Sequence, residues 1–154
     1  DVVPEYLRTE ILKPKETVAT ISNAMDVGDP SNFVRILELF DKEFNQVKSK
    51  LSGYTIDDEE TLKTIERVEK DYGYVLDPHG AVAFVALEKY LAENGGKGFF
   101  LETAHPVKFP DSVEKATGKS VEIPKSLEEL MKQGKFTTEI NPQYEELKEF
   151  LLKK

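Results

Sequence analysis

The run Ala81-Val82-Ala83-Phe84-Val85-Ala86-Leu87 constrains this chain more than any other stretch. Placed on a helix it is apolar on nearly every face, and a helix of that kind must be covered on several sides. Its start is well marked. Asp77 offers an N-cap acceptor, and Pro78 fills a first-turn position where a missing N–H costs nothing. A chain built around this segment, 78–92, is a packed helical structure with other elements laid against it.

The remaining punctuation agrees. Pro4 to Leu12 reads as a short first helix, with Pro14 beyond its end. Residues 17 to 29 mix Thr, Ser, Asn, Gly and Asp and read as an extended, strand-like start followed by a loop. Pro30 then opens a helix whose Phe33, Ile36, Leu37 and Phe40 share one face, and Phe44, Val47 and Leu51 continue it until Gly53. Asp57 with Glu60 three residues on forms a capping box for a helix carrying Leu62, Ile65 and Val68, which Gly73 ends. Gly95-Gly96 breaks the chain again, and Phe99-Phe100-Leu101 reads as a short buried strand. Amphipathic helices over 110–116, 126–131 and 142–152 complete a helix-rich chain with few short strands, read as one unit over 1–154.

Composition narrows the function classes. The formal charge of −8 argues against a nucleic-acid partner, which needs clustered Lys and Arg. The absence of cysteine excludes disulfides, thiolate metal sites and a Cys nucleophile. No apolar run approaches the roughly 20 residues that span a bilayer, so no membrane partner is expected. Nothing at the start resembles a signal peptide. A first residue of Asp1 rather than Met leads us to expect a piece of a longer or processed chain.

Three strings carry the candidate chemistry: Ser22-Asn23-Ala24-Met25-Asp26-Val27-Gly28, Asp77-Pro78-His79-Gly80-Ala81-Val82 and Thr103-Ala104-His105-Pro106-Val107-Lys108-Phe109. Thr103 follows the apolar 99–101 segment, so its hydroxyl emerges either at a strand end, where α/β folds bind ligands, or as a local cap for the helix near Pro110. His79 and His105 each have two readings: an acid, base or ligand contact, or a ring that fixes a loop by bonding backbone. Ser22 and Asn23, in a loop that also holds Asp26, offer hydrogen bonds to an anionic substrate, or close a turn among themselves. Lys108 attracts a phosphate as a point charge, or is simply a solvated lysine. A metal site on the two histidines with Asp77 or Asp26 would need at least three ligands at workable geometry, and no spacing favours one. The Asp57-Asp58 pair reads as helix capping rather than as an acid/base couple.

These strings, with the opening Asp1-Val2-Val3-Pro4 and the acidic Asp57-Asp58-Glu59-Glu60-Thr61, closely resemble the C-terminal part of threonine synthase from about residue 2 to about residue 130. The tail from about 131 matches loosely. Departures are mild: Asp29 where the family more often has Asn, Gly80 where it has Thr or Ala, and Val107 where it has Ala.

The resemblance implies an α/β fold of the tryptophan synthase β-like, fold-type II class, represented here by the helix-rich C-terminal portion of its large domain. It implies a lyase of amino-acid biosynthesis that uses pyridoxal 5′-phosphate (PLP) to convert O-phospho-L-homoserine and water to L-threonine and phosphate, in the cytoplasm. It also implies that Thr103 faces the cofactor's pyridine nitrogen. Neither the family's cofactor-bearing lysine nor its Gly-rich phosphate loop is found in this sequence. No catalytic residue is therefore assigned, and these residues alone are expected to be inactive, to need an N-terminal part of the same enzyme as partner, and to self-associate without it. The alternative is a non-catalytic helical binding or scaffold module that keeps the fold.

Overall fold

The computed structural model describes residues 1–134 and 136–153. Their contacts separate the chain, read from sequence as one unit, into two compact units, Asp1–Glu122 and Ile123–Lys154. The first holds α1 (Val2–Thr9), α2 (Val34–Leu39, entered through a 3₁₀ turn at Ser31–Phe33), α3 (Phe44–Lys50), α4 (Asp58–Tyr72), α5 (Pro78–Asn94) and α6 (Pro110–Thr117). The second holds α7 (Lys125–Met131) and α8 (Tyr144–Leu152).

Within the first unit two apolar clusters form. One gathers Tyr6 and Leu7 from α1, Phe33 and Val47, with the Tyr6 ring edge-on to both Phe33 and Phe44 at 5.3 and 5.4 Å. The other places Ile65 and Val68 of α4 against Leu76 and Ala81, with Phe84, Phe100 and Ala116 around them. α5 is covered less fully than its all-round apolar pattern led us to expect: Ala81 and Val85 are buried, whereas Val82, Ala83, Phe84, Ala86 and Leu87 are only half-buried. α4 lies against both α5 and α6. Charged pairs fasten the rim, with Lys89 on Glu60 at 3.0 Å and the Arg67 guanidinium forked onto the Glu88 carboxylate.

Helix ends follow the expected chemistry. The Asp57 carboxylate accepts the Glu60 N–H at 2.8 Å, although Glu60 reaches Lys89 rather than completing a reciprocal box. Gly73 closes α4 in the left-handed conformation at φ 67°.

Three expectations are corrected. First, no strand occurs among the described residues. The 99–101 segment runs without a neighbour to take its backbone bonds, so it is extended chain rather than sheet. Phe100 packs edge-on to Phe84 at 5.5 Å, but Phe99 and Leu101 stand 84% and 68% exposed. Residues 17–29 likewise form no ladder. Their loop is clasped where the Lys15 N–H donates to the Gly28 carbonyl at 2.9 Å, and a Cβ at Gly28 would overlap the Lys15 carbonyl. Second, the long helix expected from Pro30 to Leu51 is broken at Asp41 and Lys42, both left-handed at φ 52° and 61°. The break lets α3 fold back so that Phe44 reaches Tyr6. Third, α1 stops at Thr9 rather than Leu12, because the Thr9 hydroxyl donates back to the Glu5 carbonyl and accepts the Ile11 N–H as the chain turns away.

Candidate functional site

The start of α5 organises one group of candidates. The buried Asp77 carboxylate accepts the backbone N–H groups of His79 at 2.9 Å and Gly80 at 3.3 Å, satisfying donors that every helix start leaves open. The His79 ring turns back onto the same carboxylate, with Nδ1 at 2.7 Å from Asp77 Oδ1, and packs at a tilt against Phe109 with 4.9 Å between centroids. His79 thus ties α5 to the chain entering α6, which favours the fixing role over direct acid–base work.

The 103–109 string lies alongside. His105 caps the 3₁₀ turn Pro106–Lys108, its Nδ1 accepting the Val107 N–H at 3.1 Å. A neutral ring in that pose carries its proton on Nε2, and His105 is exposed. Thr103 is exposed too. Its hydroxyl makes no hydrogen bond among the described residues, so the local-capping reading is not realised: α6 begins after Phe109 with no side-chain cap. Lys108 is exposed and forms no ion pair among the described residues.

The Ser22–Gly28 loop makes a separate cluster. The Thr20 hydroxyl donates to Asp26 at 2.7 Å and lies 3.1 Å from the Ser22 hydroxyl, while the Ile21 N–H reaches Asp58 of α4 at 3.2 Å. Ser22 and Asp26 are engaged in holding the loop, and Asn23 is exposed. An open groove of about 380 Å³ runs past Asp1, Lys15, Ser22, Asp26 and Gly28. No hydrogen bond or ion pair joins this loop to the 77–109 group among the described residues, nor do three or more carboxylates or histidines converge there as a metal site would need.

One residue escapes the sequence reading. Glu102, the neighbour of Thr103, turns inward and accepts the Asp77 backbone N–H at 3.3 Å. Burial, then contact with Asp77, pushes its carboxyl up to about 7. The only sequence hint was a lone Glu directly after the apolar run Phe99-Phe100-Leu101.

Comparison with known proteins identifies the architecture. The chain superposes on the crystal structure of threonine synthase from Escherichia coli with a TM-score of 0.83 at 38% identity, covering 99% of this chain and 35% of that one. It also superposes on PLP-bound threonine synthase from Brucella melitensis with a TM-score of 0.66 at 27% identity, over 98% and 38% of the two chains. The fold is that of a region within these bacterial enzymes. Residues 80–151 match the family model described as threonine synthase, C-terminal. The threonine synthase of Buchnera aphidicola subsp. Schizaphis graminum is 42% identical over 156 residues, 100% of this chain and 35% of its own length. That of Escherichia coli K12 is 45% identical over 129 residues, 84% and 29% of the two. The chain belongs to the threonine synthase family and corresponds to its C-terminal portion. It spans about a third of the length of these curated relatives.

Proposed function

We propose that these residues serve as the C-terminal portion of a working threonine synthase, a cytoplasmic PLP-dependent lyase that turns O-phospho-L-homoserine and water into L-threonine and phosphate. The observation that carries this reading is the Thr103 hydroxyl. It is presented to the outside, without a protein partner among the described residues, from a segment anchored by Glu102 before it and by the His105 turn after it.

That arrangement fits PLP at one point. A hydroxyl free to donate suits a neutral pyridine nitrogen, whereas a carboxylate there would hold the ring protonated. When bound, the cofactor supplies an electron sink for carbanion chemistry at an amino acid. The chain's own residues have other tasks. Thr103 donates to the ring nitrogen and orients it. Lys108 brings a positive charge toward the substrate phosphate. Asn23 offers hydrogen bonds from a loop that Ser22, Thr20 and Asp26 hold in place. His79 and His105 keep the 77–109 turns rigid, and neither is assigned a proton transfer.

The remainder of the enzyme supplies the lysine that carries the cofactor, so these residues alone turn nothing over. The exposed Phe99 and Leu101 form the apolar surface that the remainder covers, and isolated chains self-associate through it. A scaffold module without catalysis would have no use for the exposed Thr103 hydroxyl.

The test is a pair of substitutions in the full-length enzyme. Thr103→Val keeps shape and removes the donor. A lost hydrogen bond to a buried acceptor costs about 1–3 kcal/mol, so turnover falls roughly tenfold to a hundredfold. Thr103→Ser restores most of it. Wild-type turnover by the valine variant would remove Thr103 from the cofactor site.

A further inference from the structure

Two carboxyl groups come together at the segment that carries Thr103, and the function proposed above gives neither a chemical role. Asp77 is wholly buried, at 0% exposure. Its carboxylate already takes the His79 and Gly80 backbone N–H groups and the His79 ring. Glu102 approaches from the other side. One of its oxygens, Oε1, accepts the Asp77 backbone N–H. The other, Oε2, is buried and has no hydrogen-bond partner among the described residues.

A buried carboxylate oxygen with no donor is costly, and the residue whose backbone N–H Glu102 accepts, Asp77, is itself a fully buried carboxylate. Two ionised carboxyls cannot share such a site comfortably. The fit is close at the start of α5 as well: a Cβ at position 80 would overlap the Glu102 carboxyl, which would then have to move.

We propose that Glu102 is a carboxylic acid in the folded protein, that it donates its proton to the Asp77 carboxylate, and that this bond clamps the Thr103–His105 segment to the first turn of α5. One proton then serves both groups. Protonation turns the orphaned oxygen of Glu102 into a donor, and the negative charge stays on Asp77. The asymmetry has a physical cause: Asp77 receives the open N–H groups of a helix start and the His79 ring, whereas Glu102 receives a single backbone N–H.

The groups facing the pair come from α5, from the connection ahead of it and from the entry to α6. His79 comes from α5, and Tyr74 from the connection between α4 and α5. The entry to α6 contributes the uncharged Phe109 ring. Burial, then the negative charges of Glu102 and Asp77, push the Tyr74 phenol up, so it stays neutral beside them. Burial pushes the Asp77 carboxyl up, but the hydrogen bonds from Glu102, His79 and Gly80 outweigh it and hold the group below its usual value. Glu102 moves the opposite way, from 4.5 to about 7.

Folding therefore retains a proton that the unfolded chain has released between pH 4.5 and about 7. The clamp's contribution is complete below that interval and is lost as pH rises through it. Asp77 behaves inversely, its contribution being lost only as pH falls below 3.8. The clamp stands whatever Thr103 binds, so activity is not its readout.

Two measurements on the full-length protein test it. In a carbon-13 NMR titration the Glu102 carboxyl shifts with a midpoint near 7 rather than near 4.5. In thermal melts across the same interval, Glu102→Gln, whose amide donates without ionising, keeps the stability seen at low pH and removes the part of its decline that belongs to this group. Glu102→Ala is less stable throughout that interval. A midpoint near 4.5, or a Glu102→Gln protein whose melting declines with pH just as the wild type does, overturns the proposal. The titration needs no substitution and decides the matter even where the glutamine variant fails to fold.

Discussion

Thr103 and Lys108 sit five positions apart and differ in what a substitution at each would disturb. On the function proposed above, Thr103 would bear on the cofactor's electronics and hence on turnover. Lys108 is exposed and without an ion pair among the described residues, so its charge is available to an incoming phosphate. Lys108→Ala in the full-length enzyme should raise the KM for O-phospho-L-homoserine by roughly fivefold, the equivalent of about 1 kcal/mol for an exposed charge pair, with kcat nearly unchanged. An unchanged KM would return Lys108 to the ordinary solvated lysines. The sequence singled out these two residues as candidates because they lie in a short, distinctive string. Glu102 was not visible, since its meaning depends on Asp77, a partner 25 positions away that no local pattern connects to it. The histidines were ambiguous for a related reason: the bonds from His79 to Asp77 and from Val107 to His105 favour the fixing reading, and neither can be read from residue type.

The elements were legible where their determinants are local. Asp57 and Asp77 cap helices by bonding N–H groups two or three residues on, and Gly73 and Gly95 adopt positive φ at helix ends. Asp57→Ala should therefore lower stability by about 1 kcal/mol, with Asp57→Asn close to neutral. A shift of the urea midpoint without a change of slope is the expected signature. Equal midpoints for the alanine variant and the wild type would contradict the capping role. Elements decided by distant partners were not legible. The 99–101 segment has strand composition, but a strand exists only when a neighbour accepts its bonds, and none does so here among the described residues. The break at Asp41 and Lys42 also carries no local signal. The helical spacing continues through it, and the backbone departs so that the Phe44 ring reaches Tyr6.

At the scale of the whole molecule, the apolar surface left open is informative. Phe99 and Leu101 flank the half-buried Phe100 just ahead of Thr103, and both stay largely exposed. The E. coli relative is about three times as long, since this chain covers 35% of it. A surface of this kind beside a candidate cofactor residue is what the C-terminal portion of a larger enzyme would present to its remainder. The most direct measurement is phosphate release from O-phospho-L-homoserine by two samples: this chain alone, and this chain joined to the preceding part of the E. coli enzyme in place of that enzyme's own C-terminal portion. The account predicts no release by the chain alone and PLP-dependent release, with threonine formed in equal amount, by the joined protein. A joined protein that folds and binds PLP yet releases no phosphate, or a lone chain that turns substrate over, would contradict it.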